Sequence, residues 1–338
     1  FLGAGTLAPF LELRYGKDAF EFILDEGGVG LQSLGSGEEE IIYALPGVAE
    51  RGSLDLVLEL NVSGGHSSIP PKHTGVGIMA EIIYALERED MDLFTPVLGT
   101  EHPMRKVLEC QLRYSPNEVE SWLGEILDSE DYVAAATAIA ESRGPMTRFL
   151  LQTSQAADMF NGGVKSNALP EKVTAIVNYR VGLHQKPGDV IARAVDIVGR
   201  IAEEQDLSFS HPLAFDSEGQ QQAQGHVSMK PLAKPLDPAP LSPTSLESPT
   251  WRRFSGVTRS VFESVFNKTV VVAGNVMTGN TDTRFYWNLS RNIYRWSPVP
   301  KGWSLNIHTV DERIKMDAHL QSMMLYYGLY SLDLWKTG

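Results

Sequence analysis

The chain has 338 residues, 43% hydrophobic and 21% charged, with a formal charge of -13 at pH 7. That length suits two domains with a sizeable core, and the acidic balance excludes phosphate-backbone binding, which needs clustered Lys and Arg. No run reaches the ~18 consecutive apolar residues of a membrane helix, and Cys110, the one cysteine, leaves no intrachain disulfide or cysteine metal cluster.

The sequence opens mid-pattern on Phe1-Leu-Gly-Ala-Gly, as expected of a fragment or processed form, and residues 4–15 are predicted helical. FEFILDEGG (20–28) is predicted as a buried strand ending in acids and glycines, and IIYAL (41–45) as another short strand. SLDLVLELNVS (53–63) alternates, with Leu54, Leu56, Leu58, Leu60 and Val62 on one face and Asp55, Val57, Glu59 and Asn61 on the other. After SGGHSSIPPKHTG (63–75), the run from Thr74 to Arg88 reads as an amphipathic helix with Thr74 as N-cap. Residues 116–142 read as acidic helix, 148–152 and 172–181 as strands, and 207–212 as a last short strand. The helix over 187–206 begins on Pro187, which suits a first turn. From 53 to 212 the order is therefore βαββαβ, the split βαβ or ferredoxin-like unit.

Residues 213–248 are Pro-, Gln- and Ser-rich and read as a flexible excursion without core potential. Helices over 250–266 and 311–330 and a strand over 269–273 restore α/β character. The predicted fold class is α/β: a domain split between 1–52 and 249–338, with the βαββαβ unit of 53–212 inserted into it.

Several stretches could carry chemistry. Asp25 ends a buried strand, where α/β sheets face their ligands, and its carboxylate is a hard ligand for zinc; the alternative is a plain turn. His308 follows a strand-like segment, with Asp311 and Glu312 able to hold its second ring nitrogen; the alternative is a surface histidine beside a helix cap. His66 follows Gly64-Gly65, which let it project and donate to a developing oxyanion, and a polar hairpin tip is the competing reading. Asn167 offers an amide donor. Arg180 offers a fork for a carboxylate, or is an edge-strand charge. The loop Gly279-Asn-Thr-Asp-Thr283 could present polar groups to a carbonyl or carboxylate. No GxSxG, HExxH or Walker A occurs, and Gly3-Ala-Gly-Thr-Leu-Ala8 fits GxGxxA without a preceding strand, a weak dinucleotide signal.

Five stretches together resemble the M20 metallopeptidases, specifically the carboxypeptidase S branch with its N-acyl-amino-acid hydrolases. They are DEGG, GGHSSIPPKHTGVGI, VKSNALPEKVTAIVNYRV, MTGNTDTRFYWNLSRNIYR and IHTVDERI, in the family's order. The resemblance implies a catalytic domain for two zinc ions with an inserted lid that mediates homodimerisation. Asp25 and His308 would each ligate a zinc. His66, from the lid of the partner subunit in dimeric members, would polarise the scissile carbonyl. Asn167 and Arg180 would hold the substrate's carbonyl and α-carboxylate, and the 279–283 loop would line the pocket. The family's His-x-Asp, bridging Asp and Glu-Glu pair are not in this sequence, so the resemblance implies N-terminal truncation, with the chain alone inactive. The implied substrate is a peptide or an N-acyl amino acid, and the implied location a vacuolar or secretory lumen. Two other readings stay open: a non-catalytic dimerisation and ligand-binding module, and a nucleotide-binding oxidoreductase beginning at Gly3.

Overall fold

The computed structural model describes residues 2–88, 94–213 and 223–334. Helix α1 (Leu2–Tyr15) is followed by strands β1 (Ile23–Asp25), β2 (Leu31–Leu34), β3 (Ile41–Ala44), β4 (Gly47–Glu50), β5 (Gly52–Val62) and β6 (Gly65–His66). Helices α2 (Gly75–Arg88), α3 (Pro103–Tyr114), α4 (Leu123–Asp128), α5 (Tyr132–Arg143) and α6 (Pro145–Leu151) come next. Then follow β7 (Ser154–Gly162), β8 (Ala168–Leu169), β9 (Lys172–Val181), α7 (Pro187–Glu204), β10 (Leu207–Ser210) and β11 (Gly225–Pro231). The chain continues through α8 (Pro249–Phe266), β12 (Thr269–Val272), β13 (Asn275–Met277), β14 (Ile293–Arg295), β15 (Ser304–Leu305), β16 (Arg313–Ile314) and α9 (Met316–Leu334). The fold is mixed α/β, and the chain divides into two compact units.

The first unit comprises residues 1–50, 97–150 and 239–338. Among the described residues its strands form sheets in the orders β1-β14-β4-β13 and β12-β3-β2, with β15 and β16 paired as a two-stranded hairpin. The apolar face of α8 packs Trp251, Phe254, Val257 and Phe262 into a core with Leu31, Val48, Tyr294 and Trp296. Phe254 stacks on Tyr294 with ring centroids 4.6 Å apart. Ser248 caps α8 by accepting from the Trp251 N–H at 3.3 Å, and the helix ends where Asn267 turns left-handed at φ 51°.

Residues 97–150 belong to this unit and form helices; the strand expected over 148–152 is instead the end of α6. Pro145 follows Gly144 at φ +80°, so the chain turns there and restarts as helix. Arg143 clamps Glu120 through both carboxylate oxygens, at 3.0 and 2.7 Å, and reaches Gln111 at 2.8 Å. Those bonds hold the Glu120 carboxyl down to about 2, against an ordinary 4.5. A depressed carboxylate stabilises the fold above its unfolded pKa and loses that contribution as pH falls through the folded one. Glu120→Gln is therefore expected to cost about 2 kcal/mol at pH 7 and almost nothing near pH 2. Urea unfolding of both forms at the two pH values checks this, and equal differences would refute it.

The second unit comprises residues 51–96 and 151–238. Its sheet runs β10-β11-β5-β9-β7. Leu54, Leu56, Leu58 and Leu60 of β5 are all buried, alternating with partly exposed Asp55, Val57 and Glu59, as period two requires. Helices α2 and α7 supply the facing layer, with Ile78, Met79, Ile82 and Leu86 from one and Val190, Ala194, Ile197 and Val198 from the other. Thr74 caps α2, accepting from the Gly77 N–H at 3.2 Å.

The 213–248 stretch departs from its sequence reading. Residues 214–222 lie outside the described residues, but β11 enters the sheet, parallel to β10 and antiparallel to β5. Val227 and Met229 are buried in the core, and they alternate with part-buried Ser228 and exposed Lys230. The sheet thus carries one strand more than the ferredoxin-like pattern, placed between its first and last.

Candidate functional site

In the first unit, β1 ends on Asp25 and the chain turns at Gly27 (φ +111°) and Gly28 (φ +74°). A Cβ at Gly28 would stand 2.7 Å from the Arg295 carbonyl oxygen, so this turn requires glycine. Asp25 is in register with Arg295 on parallel strand β14, and its carbonyl accepts from the Trp296 N–H at 2.8 Å. The Asp282 carboxyl, in the polar loop 279–283, stands near enough to act on that of Asp25, whose Oδ2 is buried without a hydrogen-bond partner among the described residues. Burial is the main force raising the Asp25 pKa, opposed by the Glu26 N–H and reinforced by the charges of Asp282 and Glu26. Tyr286 and Tyr326 stand close enough to feel the Asp25 charge, although burial dominates the rise in each phenol.

Beneath this pair is a network that the sequence did not announce. Glu50, at the end of β4, and Arg295 are both fully buried and pair at 3.5 Å. Glu50 Oε1 accepts from the Thr281 N–H at 2.9 Å and the Thr281 hydroxyl at 2.7 Å. Glu50 Oε2 accepts from the Thr283 hydroxyl at 3.2 Å, and Arg295 Nε donates to that same hydroxyl at 3.0 Å. Charged residues inside the apolar runs 41–50 and 293–296 were the available signal.

A divalent cation suits the Asp25 end of this site. Two neighbouring carboxylates repel unless a proton or cation lies between them, and a hard ion would also give the orphaned Oδ2 a partner. His308 is placed differently from its expected setting. It is exposed, at φ 61°, in the turn between β15 and β16, and Asp311 and Glu312 share that hairpin rather than starting a helix; α9 begins at Met316. Glu26 and Asp282 both act on the Asp25 carboxyl. Among the described residues no group of three His, Cys, Asp or Glu could hold a metal ion. Gly3 and Gly5 lie inside α1, so the GxGxxA pattern forms helix and not a phosphate-binding loop, which removes the dinucleotide reading.

In the second unit, β6 and β8 make a small antiparallel ribbon that pairs His66 with Ala168. The Ser67 N–H donates to the Asn167 carbonyl at 3.3 Å, so the structure brings His66 and Asn167 together. Both are exposed. The Ser68 N–H donates to His66 Nδ1 at 3.2 Å, with the Ser68 hydroxyl 2.8 Å away. A neutral imidazole that accepts at Nδ1 carries its proton on Nε2, leaving a donor free at the ribbon.

Arg180 is elsewhere. It pairs with Ser53 at the far end of β9, whereas the ribbon continues past the Lys172 end, where the Val62 N–H meets the Glu171 carbonyl. Eight residue steps separate Lys172 from Arg180, or about 26 Å at ~3.3 Å per residue. Arg51 donates to the Arg180 carbonyl, and its own pKa falls to about 10 through burial first and the Arg180 charge second. His66 and Asn167 therefore form one cluster of this unit, and Arg180 a separate one.

A profile described as "Peptidase dimerisation domain" matches residues 48–206. An uncharacterized carboxypeptidase of Schizosaccharomyces pombe is 35% identical over 97% of this chain and 53% of its own length. Carboxypeptidase S of Saccharomyces cerevisiae is 34% identical over 96% of this chain and 56% of its own. The N-fatty-acyl-amino acid synthase/hydrolase of Homo sapiens is 30% identical over 97% and 58%. The chain thus spans about half the length of the curated relatives it matches. Among solved structures, an M20 family metallo-carboxypeptidase from Sulfolobus solfataricus aligns with a TM-score of 0.54 at 15% identity, covering 96% of this chain and 67% of that one. Human carnosine dipeptidase 1 aligns at 0.57 and 9% identity, over 97% and 62%. With a mixed α/β fold shared with M20 structures and relatives at 30–35% identity along nearly its whole length, this chain carries an M20 peptidase dimerisation domain and is a homologue of carboxypeptidase S.

Proposed function

We propose that the full-length protein is a zinc-dependent hydrolase that releases a C-terminal amino acid from a peptide or cleaves an N-acyl amino acid. The observation that carries this reading is the Asp25 carboxyl at the end of β1, with Oδ2 buried and unpartnered among the described residues and the Asp282 carboxyl beside it. Support comes from relatives named as carboxypeptidases and as an N-fatty-acyl-amino acid hydrolase across nearly the whole of this chain.

Asp25 would hold one zinc of a pair and His308 the other. Zinc, when bound, acidifies a water and polarises a carbonyl. His66 Nε2–H would donate to the oxygen of the scissile carbonyl as charge develops there. Asn167 would hold the substrate's carbonyl from the same ribbon, and Arg180 would take the α-carboxylate through its planar fork. The scissile carbonyl and the α-carboxylate of the amino acid attached to it lie within a few ångström, far less than the separation along β9. The reading therefore needs a homodimer, in which the ribbon of one subunit serves the site that Arg180 serves in the other. A vacuolar or secretory lumen belongs to the same proposal.

The test is hydrolysis by the full-length protein of a blocked dipeptide with a free C-terminus, its C-terminal amide, and an N-fatty-acyl amino acid. Cleavage of a free-carboxylate substrate, abolished by chelation and restored by zinc, is expected. No cleavage of any of the three would end the reading. Arg180→Ala is expected to erase the preference for the free carboxylate over the amide, and an unchanged preference would remove the role given to Arg180.

A second reading has its own observation. With no three metal-ligating side chains grouped among the described residues, the 338-residue chain by itself would act as a dimerisation and ligand-binding module without activity. Equilibrium dialysis of this chain with zinc is then expected to retain no tightly bound ion, and two tight ions per chain would overturn it.

A further inference from the structure

We propose that Glu50, Thr283 and Arg295 are positioning residues for Asp25: a buried ion-pair brace that fixes the 281–283 turn so that Asp282 meets the Asp25 carboxyl. The inference rests on the reading of Asp25 as a metal ligand, and it concerns what orients that ligand.

The brace reaches Asp25 by two routes. Through the sheet, Arg295 is the register partner of Asp25. Through the loop, Glu50 holds both threonines that flank Asp282. The threonine hydroxyls also contact each other at 2.8 Å, so both carboxylate oxygens of Glu50 bear on one rigid turn. Arg295 Nε closes the circuit on Thr283, and Nη1 donates to the Ile293 carbonyl at 3.1 Å. Nη2 has no hydrogen-bond partner among the described residues.

Stability alone is a poor reason for such a pair. Glu50, Arg295 and Thr283 are each fully buried, and a buried ion pair is often matched or bettered by packed apolar side chains. What apolar side chains could not supply is four directed contacts on a single turn. Fixing the turn fixes Asp282, and Asp282 fixes which way the Asp25 carboxyl faces. This is the relation of an outer-shell partner to a ligand, where loss of the partner lowers metal affinity without removing a ligand.

The test uses the full-length protein, with zinc affinity read by competition against a chelating dye and the visible spectrum of bound cobalt as a second readout. Thr283→Val keeps the shape and removes the hydroxyl; Thr283→Ser keeps the hydroxyl. The Val form is expected to bind zinc about tenfold more weakly and to shift the cobalt bands, while the Ser form stays near wild type. If the Val form does not fold, Glu50→Gln takes its place, with the same weakening expected. A folded Val or Gln form that binds zinc as wild type does would overturn the brace. A Ser form as weak as the Val form would also overturn it, by pointing to packing. Asp25→Asn separates the two levels: unchanged affinity there defeats the metal reading itself, whereas weak binding there beside normal binding in the brace variants defeats only the brace.

Discussion

Replacing His66 by Ala is expected to lower kcat of the full-length protein in the proposed hydrolysis by about 10²–10³-fold with little change in KM, the loss that follows removal of one oxyanion donor. The expectation comes from the backbone. Ser68 donates its N–H to Nδ1, so a neutral ring is held as the tautomer with a proton on Nε2. Gly65 places the histidine on a two-residue strand, and the Ser67–Asn167 bond ties the neighbouring chain to it. The imidazole is thus held at its base and open at its tip. A donor of this kind acts where charge develops, which is the transition state, so the rate falls and substrate binding does not. His66→Gln keeps a donor and is expected to recover part of the loss. Steady-state kinetics of the wild type and both variants decide the matter. A His66→Ala form with wild-type kcat would remove the histidine from the chemistry, and a rise in KM alone would recast it as a binding residue.

Legibility in the sequence followed the length scale of each signal. The alternation in SLDLVLELNVS needs only neighbours along one strand, and β5 buries the leucines it assigned inward. The amphipathic run after Thr74 is likewise local, and α2 begins one residue later. The glycines of DEGG marked a strand end, and β1 ends there. Local pattern failed where partners came from afar. GHVSMKP became β11 because β5 and β10 offered open edges, a fact absent from the seven residues themselves. Residues 148–152 are apolar enough for either state, and the turn at Gly144 and Pro145 decided for helix. The Glu50–Arg295 pair spans 245 positions and shows only as two charges in apolar company. The residues proposed for one substrate could be named from motifs, but their separation along β9 could not. The thirteen residue steps from Asn167 to Arg180 say nothing until the ribbon is seen to leave the sheet at the end opposite Arg180.

That separation yields the most demanding expectation. His66→Ala and Arg180→Ala subunits should each be nearly inactive alone, yet regain activity when mixed and allowed to exchange. In a mixed dimer, one site combines the intact Arg180 of the first subunit with the intact His66 of the second, and the other site lacks both. Random exchange of equal amounts makes half the dimers mixed, so about one quarter of the wild-type sites should return. Had His66 and Arg180 served a site within one subunit, no mixed dimer would contain an intact site and nothing would return. The ribbon and Arg180 lie at opposite ends of β9, and a strand is too stiff to bring its ends together. Unmixed controls and size-exclusion chromatography of the mixture establish that exchange has occurred. Exchange without recovery would place both groups on one subunit or remove one from the reaction, and recovery near one quarter would assign each site to two chains.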